Sequence, residues 1–261
     1  MVYINPVEQF TLIVKIINIT FFVVLAFAVL RQKKDYIVNK MYFAAFLCWV
    51  GYIGMDAVIF VFLPVSPTWY FIGNRMRDVG VLSVMAVAFL IYKSLEIINK
   101  GIDSLNKPRL YFEMAIFVII GGLLVWVDSV EVYVWSSGEI ILPENLPPSG
   151  TDFITQPNVG IFTLILSAVP FILFAYTVIR LMILTRKVTK PNLKHRMRLL
   201  TAGVAFIPIG MLYFILVSMV PIYAWWSSGI GYTLWTTAPI LIWLSRRKSK
   251  EEREEKINQI N

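Results

Sequence analysis

Residues 8–34, EQFTLIVKIINITFFVVLAFAVLRQKK, decide the fold class of this chain. The run is mostly apolar and long enough to cross the roughly 30 Å hydrocarbon core of a bilayer as a helix, which takes about 20 residues. Arg31, Lys33 and Lys34 directly follow its apolar part, residues 8–30, and no basic residue precedes Thr11. This charge order is that of a spanning helix whose N-terminus lies outside, and it argues against a cleaved signal peptide.

The rest of the chain repeats this alternation of long apolar runs and short polar segments. Of its 261 residues, 58% are hydrophobic, more than an ordinary soluble domain holds. Seven runs are long enough to cross a bilayer, at residues 8–30, 41–63, 69–95, 110–127, 159–184, 198–219 and 224–244. The expected fold is an all-α integral membrane protein, with a seven-helix transmembrane bundle at 1–245 and a charged cytoplasmic tail at 246–261.

Basic residues set the orientation of these helices. Twenty of the 24 lysines and arginines fall into four polar segments, at residues 31–40, 93–109, 185–198 and in the tail from 245. Because basic loops stay in the cytoplasm, the N-terminus is expected outside and the C-terminus inside, in a multi-pass protein of the cell membrane. The basic residues are spread over every inner loop instead of forming one patch. Topology therefore accounts for the net charge of +8, and no nucleic-acid partner is expected.

The residue types that most often carry chemistry are scarce. Cys48 is the only cysteine and His195 the only histidine. An intrachain disulfide is therefore excluded, and a thiolate metal cluster, a multi-histidine zinc site and a Ser-His-Asp triad are disfavoured. We expect no cofactor, no metal ion and no enzymatic activity.

The long loop on the outer side, residues 128–158, is expected to form a hairpin lid over the bundle. Residues 130–135 alternate like a strand and are followed by Ser136-Ser137-Gly138, which is typical of a turn. Residues 139–142 are the expected returning strand.

Two charges in neighbouring helices are expected at the same depth in the membrane. Asp56 lies eight residues before Pro64, and Arg75 eight residues after Pro67, so both sit about 12 Å below the turn that joins their helices. An ionised side chain near mid-membrane costs on the order of 2.5 to 3.5 kcal/mol and usually faces other helices and pairs. We therefore predict that Asp56 faces the bundle interior and pairs with Arg75 or, failing that, with Lys15.

The third helix is ambiguous in its depth, because its apolar part, residues 79–92, is only about 21 Å long. It has to draw either Arg75 and Asp78 or Lys93 and Glu96 into the membrane, and the first choice is favoured. That choice would place a polar pocket in the outer leaflet.

An outward-facing ligand site is the resulting hypothesis. Its expected lining is Asp56, Arg75, Asp78 and Tyr232, with Lys15 at its edge. Tyr232 is included because the seventh helix carries hydroxyl residues every four positions along one face. An ion pair that only fixes helix packing explains the charges equally well.

Seven spans with an outer N-terminus, a lid-like loop after the fourth and a short inner tail resemble the sensory modules that precede some histidine kinases. Microbial rhodopsins share this topology, but their retinal attaches to a lysine in the last helix, and residues 222–244 contain none. The motifs of rhodopsin-like G-protein-coupled receptors are absent. The corresponding stretches in the third and seventh helices read Tyr92-Lys93-Ser94 and Ala238-Pro239-Ile240-Leu241-Ile242.

Two kinds of function are in contention. The first is a receptor-like or sensory protein whose outer pocket takes a small molecule or ion and is coupled to the basic cytoplasmic loops and tail, where a signalling protein would bind. The second is a small transporter or channel subunit, or a structural subunit of a membrane complex. No convincing internal repeat relates the first three helices to the last three, which disfavours transport.

Overall fold

The computed structural model describes residues 6–32, 35–62, 67–101, 106–127, 131–135, 153–157, 161–218 and 225–246. These residues form seven α-helices and one pair of antiparallel β-strands. In chain order the elements are α1 Pro6–Gln32, α2 Ile37–Phe62, α3 Pro67–Lys100, α4 Lys107–Val127, β1 Glu131–Trp135, β2 Phe153–Pro157, α5 Ile161–Lys187, α6 Pro191–Ser218 and α7 Trp225–Arg246. Each of the seven runs expected to be helical overlaps one of these helices.

The end of α3 and the start of α4 follow local rules. Gly101 stops α3 because it adopts a φ of 87°, which side chains disfavour, and its N–H donates to the carbonyl of Ile97 at 2.8 Å. Asn106 precedes α4, and its Oδ1 accepts a hydrogen bond from the N–H of Arg109 at 3.4 Å. This is the N-cap arrangement that satisfies an otherwise unpaired donor.

Five of the helices are long and apolar enough to cross a membrane. Within the described residues these stretches are Gln9–Gln32, Ile37–Val58, Leu82–Lys100, Ala168–Lys187 and Pro191–Val217. Helix α4 carries Lys107, Arg109 and Glu113 in its first two turns, and α7 interleaves hydroxyl residues with its apolar ones. The apolar helices suit a lipid bilayer, which confirms the membrane class.

Six of the helices close into a ring. Following their contacts, α1 packs on α2, α2 on α3, α3 on α5, α5 on α6, α6 on α7 and α7 on α1, whereas α4 packs outside this ring on α3. Contacts such as Phe22 with Phe46 and Lys15 with Asp56 make α1 and α2 antiparallel. We call the end of the bundle with Gln32 and Arg246 the basic end, and the end nearest the two strands the strand end.

One closely packed part of the core lies among α2, α6 and α7. Trp49 of α2 and Trp235 of α7 meet edge to face, with ring centroids 5.2 Å apart. The indole N–H of Trp235 donates to the carbonyl of Ile207 at 3.0 Å, and a Cβ at Gly210 would overlap the same indole. Glycine at position 210 therefore lets α6 approach α7 closely.

The strand pair lies between α4 and α5, in the loop expected to form a hairpin, and its second strand was not predicted. The strand expected at 130–135 is confirmed as β1, whose described partner is β2, with Glu131 opposite Pro157 and Trp135 opposite Phe153. Residues 139–142 lie outside the described residues. Residues 153–156 read Phe-Ile-Thr-Gln, and the first three favour strands, whereas the prediction relied on the nearer turn signal.

Candidate functional site

Three side chains from three helices meet inside the bundle. Lys15 Nζ of α1 lies 2.7 Å from Asp56 Oδ2 of α2, and the Tyr232 hydroxyl of α7 donates a hydrogen bond to the same oxygen. Lys15 Nζ also lies 4.6 Å from the centroid of the Tyr232 ring. We call Lys15, Asp56 and Tyr232 the three-helix cluster.

Helical spacing brings these residues to the ring interior. Lys15 shares one face of α1 with Asn18 and Phe22, at spacings of three and seven residues, and all three are buried. Asp56 lies seven residues after Trp49 of α2, so these two side chains also share a face. Because the charges of Lys15 and Asp56 lie on the buried faces of α1 and α2, the other faces of these helices can remain apolar and meet lipid.

The charges of the three-helix cluster compensate one another. The Lys15 side chain is 2% exposed and that of Asp56 is 19% exposed, so the ammonium is withdrawn from solvent while part of the carboxylate is accessible. A buried ammonium is tolerated only when it is paired and hydrogen-bonded. The carboxylate supplies the opposite charge, and the face of the Tyr232 ring adds a cation–π contact.

A second polar layer lies about one helical turn nearer the basic end. The indole N–H of Trp49 donates to Asn18 Oδ1 at 3.2 Å, and Asn18 Nδ2 donates to Thr236 Oγ1 at 3.3 Å. Thr236 Oγ1 donates in turn to the carbonyl of Tyr232 at 2.8 Å, which returns the chain of hydrogen bonds to the three-helix cluster. The Asn18 side chain is fully buried and ties the same three helices together.

Contacts among α1, α2 and α7 continue to the basic end. Phe22 packs on Phe46 and on Trp49, with ring centroids 5.6 and 5.7 Å apart. Nearer the end, Arg246 Nη1 donates to Gln32 Oε1 at 3.1 Å, and its guanidinium carbon lies 6.0 Å from the centroid of the Tyr42 ring. We call this line of contacts the α1–α2–α7 seam.

The structure brings together three of the five residues predicted to line the site. Asp56 faces the interior and pairs with Lys15, which was the second choice of partner. Lys15 was expected at the edge and is instead the direct partner of the carboxylate. Arg75 and Asp78 fall on helix α3, but their side chains lie outside the described residues. Ligand binding by these residues stays a prediction.

Sequence reasoning missed the polar layer around Asn18. The signal was present, because an amide one turn after Lys15 in an otherwise apolar run also needs a partner inside the bundle. It was overlooked because only charged side chains and the hydroxyls of the seventh helix were considered. Among those hydroxyls, Tyr232 and Thr236 do share the buried face.

A second cluster of charges joins α3 to α4 near the basic end. Lys93 is 5% exposed, and its Nζ lies 3.1 Å from Glu96 Oε2 and 2.5 Å from Glu113 Oε2. Lys100 pairs with Glu96 at 3.1 Å, and Arg109 pairs with Glu113 at 2.8 Å. We call these five residues the α3–α4 charge cluster. Lys93 and Glu96 were the less favoured choice for burial in the third helix, and the structure buries Lys93.

Comparison with known proteins adds no family. The chain matches no model of a protein family, and no curated protein is significantly similar to it. Among the described residues, no group of three or more His, Cys, Asp or Glu side chains is placed to hold a metal ion.

Proposed function

We propose that the protein is a receptor-like sensor in which all seven helices cross the membrane, with the N-terminus outside and the basic end in the cytoplasm. The distribution of lysine and arginine supports this orientation. Helix α7 packs between α1 and α6 and α4 lies along α3, so both accompany helices that are apolar enough to span. The site opens towards the outer side, with Arg75 and Asp78 contributing to its lining.

The observation that carries this proposal is the buried pair of Lys15 and Asp56 with Tyr232 on the same carboxylate oxygen. Ionisable groups inside a membrane are costly and often mark functional sites. Replacing a buried ion pair with apolar residues is often neutral or stabilising, so packing alone does not require one. A site that must change state on binding a ligand does benefit from charges that can exchange partners.

The α1–α2–α7 seam supplies the coupling to the cytoplasmic side. A ligand that contacts Asp56 would alter the hydrogen bond from Tyr232 and hence the position of α7. Helix α7 ends at Arg246, which contacts Gln32 of α1 and the ring of Tyr42 in α2. A ligand shifts such an equilibrium only by binding one arrangement more tightly than the other. The arrangement of α1, α2 and α7 at the basic end would thus differ with and without ligand.

Packing along the seam supports sensing over transport. Phe22, Phe46 and Trp49 fill the space among α1, α2 and α7 between the three-helix cluster and the basic end, and all three are buried. A transporter that used Asp56 would have to open this aromatic layer. A sensor needs only a small shift of packed helices, which is about 1–2 Å at helix interfaces in known switches.

Spin labels can test the coupling. On a Cys48→Ala background, Lys40→Cys and Thr189→Cys would place labels at two exposed positions near the basic end. We expect Asp56→Asn to add a new population to the distance distribution of the purified full chain. Glu113→Gln, which alters a carboxylate of the α3–α4 charge cluster, should leave the distribution unchanged.

Two outcomes would overturn the proposal. One is an unchanged distance distribution in the Asp56→Asn variant. The other is a sodium, potassium or proton current through reconstituted protein that Asp56→Asn abolishes, since this would make the three-helix cluster a transport site. The orientation has its own test on the Cys48→Ala background: Ser137→Cys should label from outside, and Ser249→Cys only after permeabilisation.

A further inference from the structure

The basic end holds two groups of cations that differ in how they are neutralised. In the α3–α4 charge cluster, Lys93, Lys100 and Arg109 each pair with Glu96, Glu113 or both. The turn between α5 and α6 has no such acids. The chain contains no aspartate or glutamate anywhere from residue 153 to residue 250.

Five cations crowd around this turn. We call them the α5–α6 basic surface: Arg186, Lys187, Lys190, Lys194 and Arg198. All are exposed except Lys194, which is half-buried. Among the described residues, no ion pair or side-chain hydrogen bond occupies any of these five side chains. Their counter-charge must therefore come from outside the described part of the chain.

The neighbouring Arg196 shows that the fold separates two roles within this segment. Its Nε donates to the carbonyl of Ser245 at 2.8 Å, which satisfies an acceptor near the end of α7. Lys194 and Arg198 are four residues apart and share the opposite face of α6, because two residues along a helix amount to more than half a turn. Arg196 is thus used within the protein, whereas Lys194 and Arg198 lie on the other side of α6.

The side of α5 that leads to this surface is apolar and exposed. Ile179, Met182 and Ile183 are 55%, 46% and 41% exposed, and with Arg186 they form one face at spacings of three, four and seven residues. An exposed apolar face on a spanning helix meets acyl chains. Arg186 and Lys187 follow within one turn, at the level where the hydrocarbon gives way to headgroups.

We propose that the α5–α6 basic surface binds the phosphate of an anionic phospholipid whose acyl chains lie along the exposed face of α5. Clustered lysine and arginine next to a spanning helix attract anionic headgroups. The apolar face supplies the second half of the recognition, which a free phosphate ion could not use. Neither contact depends on the proposed sensing function or on which side of the membrane the basic end faces.

Native mass spectrometry of the purified, delipidated full chain can test this proposal with two lipids that share their acyl chains. Dioleoyl-phosphatidylglycerol should bind at least about tenfold more tightly than zwitterionic dioleoyl-phosphatidylcholine, because only its headgroup carries a net charge. Replacing Arg186, Lys187, Lys194 and Arg198 with glutamine should remove most of this preference. A matched variant removes four charges elsewhere at the basic end, at Arg31, Lys40, Lys100 and Arg109, and should keep it.

Four results would overturn the proposal. Wild-type protein without a preference for phosphatidylglycerol is the first, and equal loss in the two four-charge variants is the second. Inorganic phosphate that displaces the lipid at millimolar concentration would indicate a simple anion site. The fourth result is a preference for phosphatidylglycerol that appears only when residues 247–261 are deleted. It would mean that the acidic stretch at 251–255 occupies the α5–α6 basic surface in the full chain. Because the substituted side chains are exposed, except for the half-buried Lys194, both variants should fold, which circular dichroism would verify.

Discussion

The three-helix cluster and the α3–α4 charge cluster both bury a lysine, yet they differ in what neutralises it. Among the described contacts, the Lys15 ammonium meets one carboxylate and a phenol ring, whereas the Lys93 ammonium meets two carboxylates from two helices. The second cluster also contains Lys100 and Arg109, whose side chains are 54% and 61% exposed, so it reaches solvent. The three-helix cluster is thus a closed arrangement, in which the lysine is withdrawn from solvent. The α3–α4 charge cluster is an open one, in which a second carboxylate remains when the first is lost. Loss of one partner should cost more in the closed arrangement.

Asp56→Ala should have the largest effect. It removes the carboxylate that lies 2.7 Å from the buried Lys15 ammonium, and breaking a buried pair in this way costs about 3–5 kcal/mol. Glu113→Ala should cost clearly less, because Lys93 keeps Glu96. Equilibrium unfolding of the purified protein in mixed detergent and SDS would measure both losses. Equal losses would show that the two clusters tolerate the loss of a carboxylate equally.

The double variant Lys15→Met, Asp56→Leu tests whether the ion pair itself stabilises the fold. Because it removes both charges and keeps similar volumes, it should recover most of the stability lost in Asp56→Ala. A double variant as unstable as the single one would mean that the pair itself stabilises the fold. In that case the pair would be explained by stability alone, without a function.

Asn18→Leu should have the next largest effect. It keeps the size of the side chain but leaves the indole N–H of Trp49 without its acceptor, at a cost of about 1–3 kcal/mol. Thr20→Val, on the exposed side of the same helix, is the matched control and should change little. A thermal denaturation series would show whether the polar layer belongs to the closed arrangement; similar effects of the two substitutions would exclude it.

Glu113→Gln should cost about 1 kcal/mol, since the amide oxygen can still accept from Lys93 and Arg109 while the charge is lost. The loss would be read from the same unfolding curves as for Asp56→Ala. A loss as large as that of Asp56→Ala would show that the second carboxylate does not make the α3–α4 charge cluster tolerant.

Lys100→Gln should have the smallest effect, below about 0.5 kcal/mol, because its pair with Glu96 is exposed. The small difference should vanish in 1 M salt, where the screening length is about 3 Å. The loss caused by Asp56→Ala should persist in the same salt. Unfolding at two salt concentrations would therefore separate the closed arrangement from the open one.

Features visible within one segment were predicted well from the sequence. The seven helices follow from long apolar runs, and Lys15, Asp56 and Tyr232 are conspicuous as polar residues inside such runs. Their meeting required only that buried polar groups seek partners. The fallback pairing of Asp56 with Lys15 was predicted for this reason.

Features that depend on the relative placement of distant segments were not predicted. Lys93 pairs with Glu113 because α4 turns one particular face towards α3, and the apolar pattern of α4 does not reveal that face. The partner strand of β1 lies beyond residues 136–152, and local turn residues carry no information about such a pairing. Placement of α4 outside the ring likewise depends on tertiary contacts that no local pattern encodes.

Closure of the ring by α7 has a consequence for how the protein is made. Helices α1 and α2 leave the ribosome first, so the ammonium of Lys15 can meet the carboxylate of Asp56 early in membrane insertion. Asn18 and Asp56 receive their partners Thr236 and Tyr232 only after α7 has been synthesised. In a nascent chain that ends before residue 225, the pair of Lys15 and Asp56 can already form, whereas the contacts of Asn18 and Asp56 with α7 cannot.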